Sequence, residues 1–84
     1  MIISSYDRFL SGLLADGTLT QGRKTAKLRR WLSDGESVYK CQYLDYVVYE
    51  CEQDMRCAEE NGMDEDAMRD RNIISLINSA RMKG

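Results

Sequence analysis

The sequence predicts an all-α fold: a small bundle of about four helices in which a long third helix is central. Three observations carry this. No proline occurs in the 84 residues, which suits helices joined by tight turns. Apolar residues recur at intervals of three and four, the helical period. Three turn signals, Asp16-Gly17, Asp34-Gly35 and Asn61-Gly62, cut the chain into segments of helical length. The length implies a single helical domain over residues 1–84. A chain this short buries only about 60% of its unfolded surface, so it needs efficient helix packing or a second subunit.

Each turn glycine suits the left-handed conformation that ends a helix. Each is soon followed by a residue that starts one: Thr18 or Thr20, Ser37, and Asp64. The same dipeptides also mark β-hairpins, but the flanking apolar period is near 3.6 and excludes that reading.

The first helix is expected over residues 5–15, capped by Ser4 or Ser5. Ile2 and Ile3 would pack back on it, and Tyr6, Phe9, Leu10, Leu13 and Leu14 would form one buried stripe. The second, over 21–33, turns Leu28, Trp31 and Leu32 inward, helped by Thr25 and Leu19. Its opposite side carries Arg23, Lys27 and Arg30 as one basic ridge. Lys24 flanks Trp31, and Arg29 lies apart.

The third helix, over 37–60, is the longest and spans about 35 Å. Val38, Cys41, Leu44, Val48, Cys51, Met55 and Ala58 make a heptad-like seam. A second row, Tyr39, Tyr43, Tyr46 and Tyr49, covers much of the other side. A helix that is apolar or aromatic nearly all round is expected to be buried on several sides. Its length predicts a spine with one end overhanging or meeting another subunit. The fourth helix, over 65–81, is expected to be capped by Asp64. Glu65 and Asp66 sit at the positive end of its dipole, and Arg81 and Lys83 at the negative end. Its apolar set is Ala67, Met68, Ile73, Ile74, Leu76, Ile77 and Ala80.

The net charge of −2 hides a block pattern. Between residues 17 and 33 every charged residue is basic. Between 34 and 65 only Lys40 and Arg56 oppose a run of acids. Cys41, Cys51 and Cys57 form no Cys-x-x-Cys pair, and an odd count without an export signal points to reduced thiols and a cytoplasmic location. No apolar stretch is long enough to span a bilayer.

Catalysis is not expected. There is no histidine, hence no Ser-His or Cys-His nucleophile pair. No phosphate loop, metal motif or cofactor motif occurs. Three surfaces remain as candidate sites.

The first is the tyrosine row: four within eleven residues of one helix. These residues either complete the core, with hydroxyls reaching water, or form a protein interface, a homodimer among the choices. The second is the basic ridge. Arg23, Lys24, Lys27 and Arg30 either match acids inside the molecule, as Arg23 and Lys27 would with Asp45 or Glu52, or bind an acidic partner. They could also enter a nucleic-acid groove as the second helix of a helix-turn-helix. The third is the acidic stretch from 50 to 66. It is either a solvated face, with Glu52, Arg56 and Glu60 as an i, i+4 ladder, or an anionic surface that docks on a basic groove. That last strategy is the one used by small phage and mobile-element inhibitors.

The sequence therefore predicts a non-catalytic regulator or inhibitor that contacts protein through Tyr39, Tyr43, Tyr46, Tyr49, Glu52, Glu59 and Glu60. It needs no cofactor, metal or membrane, and a homodimer is expected. The alternative is a nucleic-acid-binding regulator that uses the basic second helix.

Overall fold

The computed structural model describes residues 2–81, the side chains of 2–4 aside. It contains four helices and, among the described residues, no strand: α1 (Ile2–Ala15), α2 (Gln21–Ser33), α3 (Ser37–Glu60) and α4 (Asp64–Arg81). α1 runs through Ser4 and Ser5, so neither caps it. The expected packing of Ile2 and Ile3, and the placement of Lys83, fall outside what is described.

α2 has the expected bounds. Thr20 is its N-cap, accepting a hydrogen bond from the Arg23 N–H at 3.3 Å. Thr18 instead closes the preceding turn: its N–H donates to Asp16 Oδ1 at 2.9 Å, and its hydroxyl donates to the same oxygen. Those bonds hold the Asp16 carboxyl below its usual range, with Lys27 and Lys24 nearby adding to the effect. Gly35 and Gly62 have the left-handed φ expected of helix-ending glycines, at 84° and 71°. Gly17 does not. At Gly62 the ending is a Schellman motif: the Met63 N–H donates to the Ala58 carbonyl and the Gly62 N–H to that of Glu59.

α3 and α4 are antiparallel neighbours, joined at one end by Arg71–Glu59 at 3.6 Å and at the other by Arg81–Asp45 at 2.7 Å. α4 therefore ends level with Asp45. The first two turns of α3 run past it and pack against α1 and the end of α2. The core is Leu10 and Leu13 of α1, Leu28 and Leu32 of α2, Leu44 of α3, and Leu76, Ile77 and Ala80 of α4. Leu28, Leu44, Leu76 and Ile77 are fully buried. Phe9 stacks on Trp31 at 4.7 Å, and Tyr6 meets the same ring edge-on at 5.3 Å.

Two expectations fail here. α3 is buried on one side only. Six of its seven seam residues turn inward, but Val38 lies on the overhanging turn and is 68% exposed. On α4, Met68 faces out, and a buried Asp70 takes a place on the core stripe.

The α2–α3 corner is held by polar groups. Lys40 is buried. Its Nζ donates to the Trp31 and Asp34 carbonyls at 2.8 and 3.2 Å and lies 4.8 Å from the centre of the Trp31 ring. The Ser37 hydroxyl donates to the Leu32 carbonyl at 2.7 Å. Carbonyls at the end of α2 thus gain donors from α3, the Trp31 carbonyl in addition to the Asp34 N–H at 3.2 Å. A cation there also suits the negative end of the α2 dipole.

Glu36, the residue before α3, takes a left-handed φ of 54°. Its carboxylate accepts a hydrogen bond from the Tyr6 hydroxyl. Burial, reinforced by that carboxylate, pushes the Tyr6 phenol up to about 12.

Replacing Lys40 with Ala removes two charge-assisted bonds and the ring contact. The expected cost is about 1.5–3 kcal/mol, read as a lower urea midpoint at unchanged slope. A loss under about 0.5 kcal/mol, the range of an ordinary surface change, would show that the clamp is dispensable.

Candidate functional site: the outer face of α3

Because the core draws on one face of α3, the opposite face is left uncovered. Tyr39, Tyr46 and Tyr49 are 62, 61 and 58% exposed, beside Val38. Tyr43 is not with them. It is half-buried against the core cluster and 5.5 Å from Tyr6, and its hydroxyl donates to Asp7 of α1. Burial and that carboxylate raise its pKa well above the phenol range. The row of four thus divides into one structural tyrosine and three on the surface.

The exposed strip reads Tyr39, Gln42, Tyr46, Tyr49, Gln53 and Arg56, spaced alternately three and four apart, and every one is exposed. Its first five positions carry no charge. Glu50 lies beside it, and its carboxylate raises the Tyr46 phenol.

The acidic half of α3 continues this face. Glu52 and Glu60 are exposed, and among the described residues neither forms an ion pair. The expected Glu52–Arg56–Glu60 ladder is not formed. Glu59 is turned toward α4, where it meets Arg71.

The basic ridge does not meet the acids of α3 expected to match it; Lys27 lies near Asp16 in the preceding turn. Asp45 is engaged by Arg81 of α4, not by α2, and Glu52 does not reach the ridge. Arg23, Lys27 and Arg30 are exposed, and no ion pair among the described residues involves them. Lys24 is not part of this surface, because its Nζ donates to the Leu14 carbonyl at 3.1 Å. Arg29 binds the Ser79 carbonyl at 2.9 Å and ties α2 to α4.

Sequence reasoning missed two features. The first is an open groove lined by Leu14, Met68, Ile73 and Leu76, with Lys24 and Arg69. The second is a carboxyl pair across α3 and α4. Asp70 is buried, and among the described residues its Oδ2 has no hydrogen-bond partner. Burial first, then Asp54, pushes the Asp70 carboxyl up to about 6. The same burial, with Asp70 nearby, raises the Cys51 thiol, which makes that sulfur a poorer nucleophile. The signal for Asp70 was present: it stands between Ala67 and Ile74, where the helical period calls for an apolar residue.

All three cysteines are free thiols. Among the described residues no group of three or more Cys, Asp or Glu side chains is placed to hold a metal ion, and no helix is long and apolar enough to cross a membrane.

These features define a small four-helix protein with one aromatic helix face, uncharged from Tyr39 to Gln53 along its strip, and separated acidic and basic surfaces. No protein-family model matches the chain, and no curated protein or solved structure matches it.

The Asp70 carboxyl binds its proton more tightly folded than unfolded. Its contribution is present below the unfolded carboxylate pKa and is lost as pH rises through about 6. Replacing Asp70 with Asn is therefore expected to stabilise the protein at pH 7 by about 1–3 kcal/mol. It should also flatten the fall in urea midpoint between pH 4 and 6.5. An unchanged pH profile would show that Asp70 does not titrate in that window.

Proposed function

We propose that the chain is a non-catalytic regulator or inhibitor that acts by protein–protein contact through the outer face of α3. Its setting is the cytoplasm, where its thiols stay reduced. The observation that carries this reading is the exposure of Val38, Tyr39, Tyr46 and Tyr49 together on one helix face. Single exposed apolar residues are ordinary, but a contiguous aromatic patch bordered by polar groups is the composition of an interface centre. Tyrosine gives large contact area at low entropic cost and dominates such centres. Glu52 and Glu60 extend the face with negative charge that has no ion-pair partner among the described residues, which favours a partner with a basic border.

A second reading has its own support. Arg23, Lys27 and Arg30 form an exposed basic ridge that closes no ion pair among the described residues, the footprint of a phosphate-binding helix.

Capture from an extract of the native host, with and without nuclease, separates the two. On the first reading a protein is retained after nuclease treatment. Its affinity falls about tenfold or more when Glu52 and Glu60 become Gln or Tyr49 becomes Ala, since central aromatic truncations cost about 2 kcal/mol. Neutralising Arg23, Lys27 and Arg30 leaves it unchanged. On the second, nuclease abolishes capture, affinity falls steeply with salt, and only the basic variant matters. Capture that ignores both sets of substitutions sinks both readings.

A further inference from the structure

We propose that the tyrosine strip of α3 is occupied by the same strip of a second copy, packed antiparallel about a two-fold axis that passes between Tyr46 and Tyr49. This rests on the reading of the strip as a contact surface and adds its occupant.

The order of residue types along the strip is nearly the same in both directions. Gln42, Tyr46, Tyr49 and Gln53 are spaced four, three, four, with Tyr39 three before and Arg56 three after. Turning one helix end for end sets Tyr46 against Tyr49 of the other copy, Gln42 against its Gln53, and Tyr39 against its Arg56. Each opposition is favourable in kind: ring on ring, amide on amide, and a guanidinium over a ring face. The alternating spacing is that of a helix seam that meets another helix along its length. A two-fold interface must be self-complementary in this manner. The parallel arrangement is less suited. It would lay Glu52, Arg56 and Glu60 against their own copies, whereas the antiparallel one sends the two acidic halves to opposite ends.

The area suffices. At about 150–250 Å² per buried aromatic side chain, three tyrosines about three-fifths exposed offer about 300–400 Å². Val38, the two glutamines and the Arg56 stem bring this to about 600 Å² per copy. A pair then removes about 1,200 Å² from water, the lower bound of standard stable interfaces. Of the acids bordering the strip, Asp45 is already held by Arg81 at 2.7 Å. The α3 backbone beneath the strip is fixed by the core on its other side, so little ordering cost falls on association.

Sedimentation equilibrium on the full chain tests the proposal, with helical circular dichroism as the control for folding. The wild type is expected at twice 9.7 kDa, with association unchanged or strengthened by salt. Tyr46→Glu, at an exposed position, is expected to give a folded chain at 9.7 kDa. The double variant Gln42→Lys with Gln53→Glu places opposite charges together only in the antiparallel register and keeps the dimer. Gln42→Glu with Gln53→Glu places like charges together and loses it.

A wild type that stays at 9.7 kDa overturns the second-copy inference alone, leaving the capture experiment to judge the functional reading. A dimer that survives the Glu/Glu variant uses another surface. Loss of the dimer in both double variants excludes the antiparallel register. A dimer that weakens steeply with salt indicates head-to-tail contact between basic and acidic surfaces. Each of these last three outcomes overturns the proposal.

Discussion

The contact among Leu28, Leu44, Leu76 and Ile77 governs the rest of the molecule. These are the largest fully buried side chains, and they come from α2, α3 and α4. Burying an aliphatic side chain contributes about 1.5–3 kcal/mol, and a chain of this length has few such contributions. The core therefore lies at one level, and each helix commits one face to it. α3 is the longest helix and is flanked by α4 over only part of its length. It has more surface than three shorter helices can cover. Its uncovered face follows from how little core so short a chain can make.

Around that contact, polar groups decide the angles. At the α2–α3 corner Lys40 and Ser37 supply donors to carbonyls at the end of α2. Trp31 receives Phe9, Tyr6 and the Lys40 cation around one ring system. Tyr6 and Tyr43 anchor α1 to this corner through Glu36 and Asp7. At the far end of the bundle the interior is less comfortable. Asp70 faces Asp54 with an unsatisfied oxygen, so the α3–α4 pair gives up stability as that carboxyl ionises. The same helix pair is thus tightly held near Asp45 and electrostatically strained near Asp70.

The charge blocks gain their meaning from this frame. Arginines that lie near one another in sequence have different employment. Arg29 ties α2 to α4 by binding the Ser79 carbonyl, while Arg23 and Arg30 face outward on the same helix. Among the acids, Asp45 and Glu59 close ion pairs with α4, and Glu52 and Glu60 do not. What remains outward is an uncharged aromatic strip, an acidic end that continues it and a basic ridge on α2.

The sequence by itself determined the helical fold, the number of helices and their bounds to within a few residues. Local signals govern these: a 3.6-residue apolar period, Thr20 as a cap, and glycines at 35 and 62 that take the left-handed conformation. It also marked the tyrosines of α3 as unusual. Only the tertiary structure decided which of them are surface. Tyr43 and Tyr46 are three residues apart on one helix, and their difference depends on where α1 lies and on Asp7, 36 residues away. It likewise decided that Lys40 and Asp70 are buried and Val38 is not. Burial is set by what a neighbouring helix brings to a position, and periodicity along one helix carries no record of where its neighbour stops.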